Sequence, residues 1–356
     1  MKRKSKLIRN AMIFILLIIL TFYIILKDQN TGEMFQVLGT VKIQYILIAV
    51  VCMCTYVICE AINIGRTLKA LDEKTSFLKN IKYALIGFFF SGITPAASGG
   101  QPMQIYYMYK DKISVANSTL ALLINLSSMQ VVTISLALIG VAINHNILNT
   151  ALIWFFVIGI LLNSSALSLL LIAIFSKKLL QKLIDFVVKI MKKLKIKNVE
   201  QKQEKIQAEL SKYHNSSDYI KNNKFVILKI IITTYIEFLA LYSVSYWVYC
   251  SFGLKGENIL KIISIQSVLY GTVSGIPSPG AVGVTEGGFI EIFKTVFPQN
   301  IINGAMILNR GINFYLLIIV SAIITMINAI KCQKMEEKNT GRNKEAVWNL
   351  TDIDES

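Results

Sequence analysis

The sequence predicts an all-α, polytopic membrane protein with six full transmembrane helices and two re-entrant helical hairpins related by inversion. Three observations predict it. Of the 356 residues, 54% are hydrophobic and only 16% charged, where soluble domains carry roughly 25% charged residues. The hydrophobic residues are gathered into segments that reach the roughly 20 residues a helix needs to cross a bilayer. Two further apolar segments break at clusters of proline and glycine whose residue order is nearly the same.

Leu7–Leu26 follows a basic start (Lys2, Arg3, Lys4, Lys6), with Arg9 in its first turn, and so resembles a signal peptide. It runs on to Lys27-Asp28 without a small-x-small cleavage site, and reads as an uncleaved first span. Ile43–Asn63 is the second. Ile81–Tyr109 is apolar but interrupted, and neither side of the break is long enough for a comfortable span, so it predicts a hairpin that returns to its own face. Val115–Ile143 and Ala151–Phe175 are uninterrupted spans.

Lys177–Lys197 carries eight lysines around a stripe of Leu180, Leu183, Ile184, Val187, Met191 and Leu194. That pattern fits a helix lying on an anionic membrane surface. A helix packed on its neighbours, with the lysines serving only topology, fits it equally. Residues 198–224 are polar and read as a short cytoplasmic helix and linker. Phe225–Phe252 is a span, Ile259–Phe297 the second interrupted segment, and Ile301–Ala329 the last span. The chain thus divides into a transmembrane region, 1–330, with re-entrant segments 81–109 and 259–297 and a basic segment 177–224, and a tail, 331–356.

The net charge is +16. In membrane proteins Lys and Arg collect in cytoplasmic loops, and this layout gathers them on one side: the N-terminus, Arg66 to Lys79, Lys110 and Lys112, Lys177 to Lys224, and the tail from Lys331. Both termini are therefore expected in the cytoplasm. Eight full spans would place the termini identically, so charge does not separate the two layouts. Nucleic-acid binding is excluded as a reading of the charge, because no recognition motif accompanies it.

The two broken segments, "LIGFFFSGITPAASGGQPMQIYYMYK" and "VLYGTVSGIPSPGAVGVTEGGFIEIFK", both pass from an apolar run through Ser-Gly-Ile to proline. Both then cross small residues and a Gly-Gly into a stretch ending at lysine. Three full spans separate them, so one hairpin enters from each side, the inverted arrangement of many transporters. Irregular backbone at that depth must be buried in protein or line a wet cavity. Prolines end one half-helix and start the next, glycines permit close approach, and the returning half-helices, starting near Pro102 and Thr285, aim N–H groups inward, where an anion such as phosphate is favoured. Candidate substrate-binding residues are Thr94, Pro95, Ser98, Gly99, Gly100 and Gln101 in the first tip, Pro277, Ser278, Pro279, Gly280, Thr285, Glu286 and Gly287 in the second, and Arg310. A Pro/Gly kink that only helps helices pack is the competing interpretation.

Charges inside spans cost about 2.5–3.5 kcal/mol each at a helix centre and normally face a cavity or a partner. Arg310 is assigned to a lipid phosphate, and Glu286 to a cationic headgroup or to holding Arg310. Glu60, Glu237, Asn309 and Asn313 are candidates for headgroup contact or gating, although Glu60 is expected near the inner surface, where it would simply be wet. Asn63, Asn125 and Gln130 add polar groups. The five cysteines form no CxxC pair and no Cys/His cluster, so neither a zinc site nor a disulfide framework is indicated. No cofactor is expected, no catalytic constellation is visible, and no GxxxxGK[ST] offers an ATP site.

The segments "GITPAASGGQP" and "GIPSPGAVGVTEGGF", in this order on a chain of this length and hydropathy, resemble the lysylphosphatidylglycerol synthase transmembrane region, the flippase domain of the multiple peptide resistance factor family. The resemblance covers most of residues 7–330. It implies a multi-pass protein of the bacterial cell membrane that moves aminoacylated phosphatidylglycerol or a related lipid between leaflets, giving resistance to cationic peptides. Bifunctional members add a soluble aminoacyltransferase domain, for which the roughly 27 residues after the last span leave no room. The expected partners are a phospholipid substrate, the anionic membrane surface and a lipid-modifying enzyme, with oligomers open. The alternative function is a phosphatidylglycerol lysyltransferase or its membrane subunit.

Overall fold

The computed structural model describes residues 39–94, 97–144, 150–178, 199–276 and 279–332, together with 181, 182, 185 and 189. The expected first span, most of the Lys177–Lys197 segment and the tail beyond residue 332 lie outside the described residues. Those described form helices and short connections, with no strand among them.

The helices are α1 (Ile43–Ala70), α2 (Phe77–Ile93), α3 (Gly100–Lys110), α4 (Val115–Ile143), α5 (Thr150–Phe175), α6 (Val199–Asn222), α7 (Lys224–Ser251), α8 (Ile259–Val273), α9 (Val284–Phe293) and α10 (Ile302–Cys332). Five of them, α1, α4, α5, α7 and α10, are long and apolar enough to cross a membrane. Leu47, Val51, Trp154, Phe155, Leu169, Ile236 and Ile323 stand exposed on these helices. A girdle of large apolar side chains turned outward suits hydrocarbon and not water, and the protein is a multi-pass membrane protein.

Helix starts follow from side-chain caps. Ser76, Ser114 and Asn258 accept hydrogen bonds from the backbone N–H groups of Lys79, Asn117 and Lys261, each satisfying a donor that the first turn leaves open. α1 runs seven residues beyond the expected Asn63. Asn63 itself is buried, donating to Thr234 Oγ1 at 3.0 Å and accepting from Arg66. The extension ends where Arg66 reaches the Lys229 carbonyl and Thr233 of α7.

α2 and α3 fold back on one another, as do α8 and α9. In the first pair Lys82 and Tyr83 both donate to Asp111 Oδ2 just beyond α3, and Gln104 Nε2 donates to the Tyr83 carbonyl. Burial opposes the charge on Asp111, but the bonds from Lys82 and Tyr83 outweigh it and hold its pKa below the usual carboxylate range. A depressed carboxylate pKa adds stability above the unfolded value and loses it as pH falls through the folded one. The Asp111 contribution should therefore be full at neutral pH and vanish on acidification below about pH 4. Melting the detergent-solubilised protein across that range checks this, with Asp111→Asn expected to flatten the dependence.

α8 is wedged between α4 and α5 by small residues. A Cβ on Gly140 would lie 2.5 Å from the Ser264 carbonyl oxygen, and one on Gly159 would lie 2.5 Å from that of Thr272. Asn163 Nδ2 donates to the Gly271 carbonyl at 3.1 Å. Small residues that let backbones approach are the usual means of helix association in lipid. Gly159→Val meets fixed carbonyls and not a movable side chain, so it should lower the melting temperature by several degrees, on the order of 1–3 kcal/mol.

Candidate functional site

The first tip is tied by one side chain. α2 ends at Thr94, whose Oγ1 donates to the Phe90 carbonyl at 2.6 Å and accepts from the Gly99 N–H at 2.9 Å. α3 then starts at Gly100, pressed against α2 so closely that a Cβ would sit 2.0 Å from Ser91 Oγ and 2.9 Å from the Gly87 carbonyl oxygen. In the second tip Pro279–Ala281 form a short 3-10 turn, with Gly280 and Gly283 at φ of +59° and +83°. α9 then starts at Val284, where Glu286 Oε2 accepts from the Gly283 N–H at 2.6 Å.

The tips meet around α10. After Arg310 this helix passes through a π-helical turn, Gly311–Leu316, a feature frequent at functional sites. The turn carries Phe314, whose ring centroid lies 6.1 Å from that of Phe88 on α2, while a Cβ on Gly280 would fall 2.3 Å from the same ring. Arg310 Nε donates to Glu286 Oε1 at 2.8 Å and Nη2 to the Gly280 carbonyl at 2.9 Å. Its guanidinium carbon lies 4.4 Å from the Phe314 ring centroid. Tyr315 adds a long hydrogen bond to Glu286 Oε1. Arg310 and Glu286 are each only 7% exposed. The bonds to Glu286 and Gly280 use two of the five N–H donors on the Arg310 guanidinium.

A cavity of about 490 Å³ opens beside this pair. Ser91, Gly92 and Ala97 wall it from the first tip, Gly275, Gly280, Ala281 and Thr285 from the second, and Arg310, Asn313 and Phe314 from α10. Gln130, Asn163 and Gln266 add amides, and Tyr56 and Tyr270 add rings. Gln130 Oε1 and Asn313 Oδ1 have no hydrogen-bond partner among the described residues. On one side the wall includes Leu162, which is itself 42% exposed on the outer face of α5. A second cavity of about 200 Å³ is lined by Glu60, Gln101, Gln104 and Asn125, and shares Tyr56, Phe88, Ser91, Ala97 and Tyr270 with the first.

Gly280, Thr285, Arg310 and Asn313 line the larger cavity, and Gln101 and Glu60 the smaller. Glu286 sits behind Arg310 and holds it. Thr94, Gly99 and Gly100 build the first turn without lining either cavity, and Ser98 is exposed. Gly287 lies in the first turn of α9, with open space where a Cβ would stand. Asn309 is turned away into the packing, where its Oδ1 accepts from Ser245 Oγ at 3.2 Å. Glu60, expected near a wet surface, instead carries a buried oxygen without a partner and faces Glu237, which is fully buried. Pro95, Pro277 and Ser278 lie outside the described residues, as does the side chain of Pro279.

Tyr56, Gln266, Tyr270 and Phe314 escaped the sequence reading. Tyr56, Tyr270 and Phe314 are aromatic residues that look like ordinary apolar helix positions; Gln266, a polar residue inside a broken apolar segment, was the one available signal. The arrangement offers a guanidinium, amides and hydroxyls beside apolar walls, which suits a small anionic or zwitterionic group attached to hydrocarbon. Residues 11–321 match the family described as the lysylphosphatidylglycerol synthase TM region. A comparison with curated proteins gives no match.

Proposed function

The chain belongs to the family of the lysylphosphatidylglycerol synthase transmembrane region, and from that premise we propose that it is a flippase- or scramblase-like translocator of phospholipid. The observation that carries the reading is the cavity walled jointly by the two tips and by Arg310. In this account the acyl tails stay in the bilayer beside α5 while the headgroup enters past Leu162, and its phosphate takes the donors that Arg310 does not give to Glu286 and Gly280. The candidate cargo is aminoacylated phosphatidylglycerol or a related anionic or zwitterionic lipid. Such export from a bacterial plasma membrane would lower surface charge and resist cationic peptides.

The same proposal fixes the finer layout. The α2–α3 and α8–α9 pairs are re-entrant hairpins from opposite leaflets. Both termini lie in the cytoplasm. The two hairpins then approach each other inside the membrane, where exposed backbone needs the polar chamber they enclose.

Purified protein in liposomes tests the reading. Labelled phosphatidylglycerol should exchange leaflets faster than in protein-free liposomes, without tRNA. Lysylation of lipid from charged tRNA in the absence of exchange would instead make the chain an enzyme. Neither activity would leave the translocator reading refuted.

A further inference from the structure

The smaller cavity reaches Glu60, which with its neighbour Glu237 forms an acid pair that the proposed lipid path does not use. Glu60 on α1 and Glu237 on α7 lie side by side, with Asn125 of α4 next to Glu60. Glu237 is fully buried, and neither of its oxygens has a hydrogen-bond partner among the described residues; nor does Glu60 Oε2. Asn125 is an independent sign of a vacant site. It is 3% exposed, it lines the same cavity, and its Oδ1 also lacks a partner. Glu60 differs from Glu237 in touching the cavity directly.

The groups around the pair do not neutralise two negative charges. Tyr56 and Cys59 face it from α1 and Tyr270 from α8, and none of these is a cation. The nearest guanidiniums are committed elsewhere, Arg66 to Asn63, Thr233 and the Lys229 carbonyl, and Arg310 to Glu286 and Gly280. Two adjacent carboxylates in a low-dielectric interior cannot both stay ionised. Two carboxyls and one amide oxygen are also too few for a calcium ion, which takes six to eight oxygen ligands.

We propose that Glu60 and Glu237 form a proton-binding site that holds one proton between them and exchanges it with water in the smaller cavity. In the exchange, the Glu60 carboxylate forms an O–H bond to a proton arriving through water. That bond breaks as the proton passes to a Glu237 oxygen, and release runs the same steps in reverse. The cavity is large enough for several waters, and Glu60, Gln101 and Asn125 on its wall offer them polar partners. Because it shares Tyr56, Ser91, Ala97 and Tyr270 with the larger cavity, a charged group arriving there changes the field at the pair. Only this last link, between the proton and a lipid, rests on the translocator reading.

Infrared spectroscopy of the protein in ether-linked lipid, whose tails carry no carbonyl, tests the site directly. At neutral pH the wild type should show the C=O stretch of a protonated carboxyl, and the band should disappear reversibly as pH is raised. Glu237→Gln should remove the band. Glu60→Gln should keep it on Glu237 but abolish its titration, because the contact with the cavity is lost. A wild type with no such band at neutral pH, a band that survives Glu237→Gln, a band that titrates unchanged in Glu60→Gln, or a band lost on adding sodium alone would each overturn the proposal. The measurement is made on resting protein. A normal band without lipid exchange refutes the translocator alone, and exchange without the band refutes the proton site alone.

Discussion

Arg310→Ala is expected to bring lipid exchange in liposomes down to the protein-free background. The side chain supplies the cation on the wall of the larger cavity beside both tips, and it also ties them together through Glu286 of α9 and the Gly280 carbonyl. Removing it strands a carboxylate that is 7% exposed, and breaking one partner of a buried pair costs about 3–5 kcal/mol. Loss of exchange alone would therefore be ambiguous between a lost phosphate contact and a collapsed site. Arg310→Lys separates them. It keeps the charge but not the planar fork that serves Glu286 and Gly280 together, so it should retain measurable exchange while melting lower than wild type. Equal exchange in Arg310→Ala and wild type, with both folded, would remove Arg310 from the path.

Gly280→Ala should produce the largest loss of stability among single-methyl changes in the second tip. Gly280 sits at φ +59°, in the left-handed region, where a non-glycine residue costs roughly 1–2 kcal/mol. The added methyl would also lie 2.3 Å from the Phe314 ring, and overpacking typically costs about 1–3 kcal/mol more. Phe314 cannot retreat freely, because Phe88 and the Arg310 guanidinium both pack against its ring. The double variant Gly280→Ala/Phe314→Leu should recover the overpacking part and not the backbone part. Comparing thermal melts of the two variants in detergent separates them. A double variant no more stable than Gly280→Ala would show that the ring is not what the methyl meets.

Much of this fold can be read from the residues because hydrocarbon imposes simple rules. The ends of α4 and α7 fall within a residue of the hydrophobic runs that announce them, and the returning half-helices start at Gly100 and Val284, close to the expected Pro102 and Thr285. The repeated Ser-Gly-Ile and Gly-Gly pattern marked both tips, since proline and glycine change the backbone locally and leave a local signature. What stayed hidden depends on long-range approach. Nothing near Phe314 in the sequence shows that its ring touches both tips, and no local pattern announces the π-helical turn. Glu60 was misplaced because α1 continues past Asn63 to Ala70, which moves the surface away and leaves the acid facing Glu237 in the interior. Asn309 and Asn313 are one turn apart and look equivalent in sequence. Packing turns the first toward Ser245 and leaves the second on the cavity wall.

The central claim is that two folded-back tips wall a chamber for a charged lipid headgroup. A cryo-EM map of the protein in phosphatidylglycerol nanodiscs tests it most directly. The account predicts phosphate density beside Arg310, between the Ser91–Ala97 tip and the Gly280–Thr285 tip, with acyl density leaving past Leu162. Tips held apart, a chamber filled by side chains, or a phosphate seated against some other group would contradict it.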